Sequence, residues 1–324
     1  MNVLVTGASG FIGRALIKEL IYRKDKVSVF LHQKGIPEQN LHKTVRGDIC
    51  DSDKLRSSMK NTDMVFHLAA SMGASQNSER DFFRINKEGT QAVLMAAREA
   101  QVKKCIHFSS AGVLGAVKQK KAVKEDYSPH PISIYDQSKL AGEKTALDFS
   151  KQGMEVVIVR PGWVYGPGDK RTFKLIEAIS KNKFVFVAGK KTFQTPVYIT
   201  DLVKAALLCA EKGQKGEIYH LAGNEILSVK KIAQDIAEAA QVCFPTVPLP
   251  LVFLKTAAFI LEKSYGIFNR EAPLTRGRLA FFTHSKPLSI SKAASELGYS
   301  PQYDFKTGIS QTIKWYKEKG WLNS

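Results

Sequence analysis

The chain has 324 residues, 44% of them hydrophobic, so it can bury one large core, or a large and a small one, as a soluble globular protein does. Its net charge of +18 invites an anionic partner, but the lysines are spread out and no aromatics interleave the densest run, Lys118-Gln119-Lys120-Lys121, which excludes a stacking platform for nucleic acid. The cysteines Cys50, Cys105, Cys209 and Cys243 lack metal-ligand spacing, which excludes a cysteine metal site and a disulfide framework; with no leader-like segment near the start, a cytoplasmic protein is expected.

The first apolar run, Val3-Leu4-Val5, predicts a strand over 2–5. It leads into Thr6-Gly7-Ala8-Ser9-Gly10-Phe11-Ile12-Gly13, and an amphipathic helix is predicted over 11–22. Strand, glycine turn and helix together make a dinucleotide site. Glycine lets the backbone come close to a pyrophosphate, and the bare N–H groups and positive end of the helix then face that anion. The spacing is Gly-x-x-Gly-x-x-Gly at Gly7, Gly10 and Gly13, not the commoner Gly-x-Gly-x-x-Gly.

Further strands are predicted over 26–31, 44–46, 64–67, 104–108 and 155–159, with helices over 53–59, 78–100 and 133–151 between them. This alternation predicts an α/β fold: a doubly wound, Rossmann-type parallel sheet with its crevice at the carboxyl ends of the strands. After Pro161 the rhythm loosens. Helices are predicted over 172–180, 201–211, 228–240 and 305–317, a strand over 184–187, and an apolar stretch over 251–261 follows a proline-rich break. The division expected is a dinucleotide-binding domain over 1–165, to which strands around 184–222 return, and a smaller, mostly helical substrate-binding region over 166–324.

The strand 104–108 runs into Ser109-Ser110-Ala111-Gly112-Val113, and Tyr135-Asp136-Gln137-Ser138-Lys139 begins the next long helix. Residues four apart share a helix face, so Tyr135 and Lys139 point the same way. A phenol titrates near 10, and a neighbouring ammonium favours its phenolate, so Lys139 is expected to bring Tyr135 into acid–base range. Ser110 is expected to hold the substrate oxygen. Serine turn, then Tyr-x-x-x-Lys, after a glycine loop, is a much more specific order than any one element.

With these residues the chain resembles the extended short-chain dehydrogenases/reductases, the superfamily of NAD-dependent epimerases and dehydratases. The resemblance implies catalytic roles for Ser110, Tyr135 and Lys139. It implies cofactor contacts from Gly7, Ser9, Gly10, Phe11, Ile12 and Gly13 in the TGxxGxxG loop. Gly47-Asp48-Ile49 resembles the segment that meets the adenine, through Asp48 and Ile49. Leu68, Ala69 and Ala70 resemble the strand end lining the pyrophosphate. Asn86 with Gly89-Thr90 resembles NxxGT, Ser109 belongs to the SSAxV turn, and Pro161, Gly162 and Val164 lie in a segment like RPxxVYGPG, whose backbone supports the nicotinamide. The family often pairs through the helices that correspond to 78–100 and 133–151, so a homodimer is expected.

The second strand ends Leu31-His32-Gln33-Lys34, without the acid that would meet the ribose hydroxyls of NAD. Lys34 and His32 would welcome a 2′-phosphate, so NADP is expected, with NAD as the alternative. Ala111 and Gly112 follow Ser110 where sugar dehydratases of the family carry acids, which disfavours dehydration. The C-terminal third, with Pro273-Leu274-Thr275-Arg276 and Ser289–Tyr299, resembles the 3-beta-hydroxysteroid dehydrogenase and dihydroflavonol-reductase-like branches. The function expected is reduction or oxidation between a hydrophobic ketone and its secondary alcohol. Two alternatives stand beside it. One is a nucleotide-sugar epimerase or reductase, with Arg276 or Arg278 on the diphosphate; the other is a cofactor-binding sensor without catalysis. The 248–261 stretch is too short to span a bilayer; it reads as a core helix of the substrate region or as a lid open to peripheral membrane contact.

Overall fold

The computed structural model describes residues 1–37, 39–72, 78–118, 121–189, 191–244, 248–267, 272 and 274–322. Seven strands form one parallel sheet. From edge to edge they are Lys43–Arg46, Lys26–Leu31, Asn2–Thr6, Met64–His67, Lys104–Phe108, Val156–Pro161 and Ile218–Leu221. The chain moves outward on one side of Asn2–Thr6, then returns to its other side with Met64–His67. That reversal opens the crevice between these two strands.

Alternation along the strands serves two helical layers. Val3, Val5, Phe66 and Ile106 pack with Leu16, Ile17 and Leu20 of the helix Phe11–Tyr22 and with Leu202, Val203 and Ala206 of Ile199–Lys212. Leu4, Val65 and Cys105 face the other way, onto Leu55, Val93, Leu94, Ala146 and Phe149 from the helices Ser52–Ser58, Gly89–Glu99 and Ile134–Lys151.

The helix predicted over 78–100 is interrupted. Glu79–Phe83 leads into a π-helical turn, Arg84–Glu88, before the helix resumes at Gly89–Glu99. The turn carries Asn86, whose side chain accepts from the Ser71 N–H at 2.7 Å and donates to the Ser71 carbonyl at 3.1 Å and to Ser138 Oγ at 2.8 Å. A wide turn admits the extra residue that brings this amide inward. The strand expected over 184–187 is shorter, Phe186–Val187, and pairs with Pro248–Leu249.

The helices Lys170–Ser180, Val229–Ala240 and Phe305–Glu318 share a second core around Tyr165, Ile176, Ile236, Ile309 and Tyr316. The apolar stretch forms the helix Leu251–Ile267. Leu254 and Ala258 pack on Val187 and Leu279, while Val252 and Phe253 are 73% and 69% exposed. One face of this helix is therefore core, as expected for a helix of the substrate region. Among the described residues no helix is long and apolar enough to cross a membrane.

The segment 285–289 is threaded between the sheet end and the C-terminal region. The Ser285 carbonyl accepts from the Val117 N–H, Lys286 donates its N–H to Phe193, and the Pro287 carbonyl accepts from the Val123 N–H. Leu288 packs on Ala111 and Val113, against the turn that follows Ser110.

Helix Ile134–Lys151 approaches the π-helical turn so closely that a Cβ on Gly142 would lie 2.2 Å from the Asn86 carbonyl oxygen, a backbone atom. Gly142→Ala should therefore lower the unfolding free energy by about 1–3 kcal/mol, as overpacking does. Urea denaturation checks this; an unchanged midpoint and slope would contradict the close approach.

Candidate active site

The glycine turn makes a cradle that only glycine fits. Gly7 has φ +70°, and a Cβ on it would lie 2.5 Å from the Leu68 carbonyl carbon. One on Gly13 would lie 2.4 Å from the Gly7 oxygen. Gly10 caps the helix Phe11–Tyr22 without any side chain, so among the described residues the N–H groups of Phe11 and Ile12 have no hydrogen-bond partner. Ser9 is half-buried in the turn, as are Leu68, Ala69 and Ala70 across from it. The cradle fits the pyrophosphate of a dinucleotide.

At the far end of the cradle, Asp48 accepts from Arg84 through both oxygens, at 2.9 and 3.0 Å, and from the Cys50 N–H at 2.9 Å. Burial works to raise the Asp48 pKa, but these hydrogen bonds and the guanidinium charge outweigh it and hold the carboxyl below its ordinary value. Ile49 is buried in the core beneath it. His32 and Lys34 are exposed at the end of the second strand. Arg46 joins them: it pairs in register with Leu31 and donates to the Gln33 carbonyl at 3.3 Å. Neither Arg46 nor Arg84 was singled out from the sequence. The parallel register of the second and third strands is the signal that points to Arg46.

The reacting end lies where Lys104–Phe108 finishes. Ser110 is extended, and its Oγ accepts from the Gly112 N–H at 3.0 Å. Tyr135 begins the next helix, half-buried with its ring 6.5 Å from that of Phe82. Lys139, one turn on, is buried and donates from Nζ to the Phe108 carbonyl at 2.5 Å. The three side chains expected at one site are thus gathered at one strand end.

The expected direction for Tyr135 is corrected. Burial pushes its pKa up, and the foremost charge acting against burial is Arg171, with Asp136 opposing Arg171 and the Ser110 hydrogen bond lowering the value further. Lys139 itself is drawn down to about 8, because burial disfavours its charge more than Glu143 supports it.

Two buried histidines lie under Lys139, side by side in register on adjacent strands, with ring centroids 5.4 Å apart. Thr90 spends its hydroxyl proton on the Asn86 carbonyl at 2.7 Å, so His67 Nε2 donates to Thr90 at 3.0 Å. His67 Nδ1 is then left to accept from Thr6 Oγ1 at 2.8 Å, and that oxygen accepts from the Ala69 N–H at 3.2 Å. Burial, then the Lys139 charge, draws His67 down to about 3. His107 is lowered for the same reasons, foremost its burial, so both rings are neutral.

A further network was not anticipated. Glu143, one turn beyond Lys139, takes the Ser109 hydroxyl at 2.5 Å and the Arg160 guanidinium at 3.0 and 2.6 Å. The ion pair is almost wholly withdrawn from water, at 3% and 2% exposure. It ties the serine turn, the tyrosine helix and the strand Val156–Pro161 into one unit. The i, i+4, i+8 spacing of Tyr135, Lys139 and Glu143 was the available signal. Pro161 ends that strand buried, Gly162 is half-buried, and a Cβ on Gly162 would lie 2.4 Å from the Thr195 oxygen. Val164 turns its side chain into the core, so only its backbone is free to face a ligand.

The turn Ser110-Ala111-Gly112 carries no acid of its own, yet the fold supplies one. A Cβ on Gly112 would lie 1.8 Å from Asp136 Oδ1, so this carboxylate rests on Gly112 beside the Ser110 hydroxyl. The side chains of Arg276 and Arg278, expected at a diphosphate, lie outside the described residues, as does Pro273 of the neighbouring motif.

These elements define a Rossmann-type enzyme with a nicotinamide dinucleotide cradle, and the chain belongs to the NAD dependent epimerase/dehydratase family, whose model matches residues 3–222. It is 26% identical over 317 residues to a 4-hydroxy-2-methyl-3-oxo-4-farnesyl-3,4-dihydroquinoline-1-oxide ketoreductase of Stigmatella aurantiaca, covering 95% of each chain. It is 30% identical to the dTDP-D-glucose 4,6-dehydratase of Homo sapiens, covering 99% of this chain and 92% of that one. Among solved structures, MoeE5 in complex with UDP-glucuronic acid and NAD superposes with a TM-score of 0.80 at 26% identity, covering 98% of this chain and 100% of that one.

Removing one partner from the Glu143–Arg160 pair leaves a buried charge uncompensated. Glu143→Ala should cost about 3–5 kcal/mol of stability, and replacing both residues together by Leu and Met should recover much of it. Chemical denaturation of the single and double variants checks this; a loss below about 1 kcal/mol in the single variant would contradict a structural role for the pair.

Proposed function

We propose that this protein is an NADP-dependent oxidoreductase that interconverts a hydrophobic ketone and its secondary alcohol. One observation carries the reading: Ser110, Tyr135 and Lys139 converge at one strand end, beyond a cradle that fits a dinucleotide. When bound, the nicotinamide supplies or accepts the hydride. In reduction, Ser110 donates its hydroxyl hydrogen bond to the substrate oxygen, and Tyr135 delivers the proton as charge builds there. A raised tyrosine pKa suits a donor that must hold its proton until then. Lys139 holds a positive charge behind the tyrosine, fixed to the Phe108 carbonyl, and favours the phenolate that remains. Phe82 walls the tyrosine on one side, and the half-buried Trp163, 4.8 Å from the Phe281 ring, extends an apolar surface for the substrate. The similarity to a ketoreductase supports this direction.

The preference for NADP rests on Lys34, His32 and Arg46, gathered where the second and third strands end and where an acid for NAD is missing.

A second reading, a nucleotide-sugar epimerase or reductase, draws on Asp136 beside Ser110 and on the similarity to a dTDP-D-glucose 4,6-dehydratase. Micromolar binding of UDP or dTDP by the purified protein would favour it over the first.

Tyr135→Phe should lower ketone turnover by about 100-fold or more, the scale of a lost general acid, with cofactor affinity nearly unchanged. Retention of most activity in a ketone-reduction assay would overturn the assignment. Arg46→Ser should weaken NADP binding by about tenfold or more, as loss of a charged hydrogen bond does, and leave NAD binding nearly as it was. Equal weakening of both in fluorescence titrations would contradict a 2′-phosphate site.

A further inference from the structure

Lys286 stands apart from the other lysines. Its backbone is pinned on both sides: its N–H donates to the Phe193 carbonyl at 2.8 Å, and its carbonyl accepts from Thr195 Oγ1 at 3.2 Å. The neighbouring Ser285 and Pro287 carbonyls accept from Val117 and Val123, on the loop that leaves the serine turn. The side chain therefore has a fixed root beside the Ser110 turn. Among the described residues its ammonium has no hydrogen-bond or ion-pair partner. Burial works against its charge, and Asp136, the carboxylate resting on Gly112, is the group that supports it from too far away to pair with it. Lys286 is half-buried, and its ammonium keeps three unused donors that an anion can take.

A second cation borders the same place. Arg171 is the leading positive charge acting on Tyr135. Its side chain is 63% exposed and held only loosely, 3.7 Å from Asp169. Asp169 is committed to the helix start, where it accepts from the Arg171 and Thr172 N–H groups and the Thr172 hydroxyl. Lys286, rooted beside the serine turn, and Arg171 are thus two incompletely paired cations, and Asp136 and Asp169 offset part of their charge. That balance suits one negative charge better than the two of a diphosphate.

We infer that Lys286, helped by Arg171, forms a subsite for a carboxylate carried by the substrate close to its reacting carbonyl. The substrate class is then an oxo acid with an apolar body. The inference rests on the ketone reading above and narrows it.

Isothermal titration of the NADP-loaded protein with 3-oxodecanoate and with its methyl ester, which lacks the negative charge and adds one methyl group, tests it. The acid should bind at least tenfold more tightly than the ester. In Lys286→Met that ratio should fall to within about threefold, Lys286→Arg should restore most of it, and Arg171→Gln should lower it by a smaller factor. Thermal unfolding of each variant confirms that it is folded. Equal binding of acid and ester, binding of neither, or a ratio that survives Lys286→Met overturns the subsite. A titration with UDP forms the third arm: UDP binding tighter than the acid and lost in Lys286→Met would assign Lys286 to a diphosphate and overturn the carboxylate. Turnover of the same ketones, followed separately, keeps the two readings distinct. Acid preference without turnover leaves the subsite and sinks the reductase; turnover without acid preference does the reverse.

Discussion

The site depends on one buried charge. Lys139 sits beneath the end of the sheet, where an ammonium is expensive to keep. It donates a hydrogen bond to the Phe108 carbonyl and Glu143 supports its charge, yet burial still draws it to about 8. Its neighbours conform to it. His67 and His107 remain neutral, since a second cation at that depth would be untenable. The threonine hydroxyls on either side of His67 fix its tautomer. Gly142 lets the lysine helix close on the π-helical turn, and Asn86 locks the two together through Ser138. The position of Tyr135 follows from all of these.

A second buried charge makes the unit rigid. Glu143 receives Ser109 and Arg160 at once, so the residue before Ser110, the helix of Tyr135 and the strand leading to Gly162 cannot move independently. The pair is costly to bury and contributes little net stability beyond what apolar residues would supply. Its contribution is positional: it sets the serine turn against the tyrosine helix. In the proposed reaction Ser110 and Tyr135 act on one substrate oxygen, so their relative placement matters more than the depth of either. The region after Pro161 returns one segment, 285–289, against the serine turn.

Much of this was legible in the sequence because it is local. Strands with apolar residues on both faces announce a parallel sheet, and the functional turns fall at their ends. Gly7, Gly10 and Gly13 mark the cradle by their spacing, and Tyr135 with Lys139 share a face by theirs. What escaped the sequence is set by tertiary contact. Glu143 and Arg160 lie 17 residues apart, on different elements, and nothing local pairs them. Arg46 counts only once the register with Leu31 is known. Lys286 reaches the site through backbone hydrogen bonds of an irregular segment that has no periodicity to read. The π-helical turn looks like plain helix in the sequence because its residues are ordinary helix formers. The Tyr135 pKa escapes the sequence for a different reason: an ammonium four residues away is legible there and desolvation is not, and desolvation is the larger effect.

The central claim is that this constellation moves a hydride to a carbonyl carbon and a proton to its oxygen. The most direct measurement is single-turnover reduction of a panel of apolar ketones and 3-oxo acids with cofactor deuterated at nicotinamide C4, with mass spectrometry of the alcohols formed. The account predicts one deuterium on the carbinol carbon of the product, in one stereochemical sense. Product without that label, or no alcohol from any member of the panel while the cofactor remains bound, would contradict it.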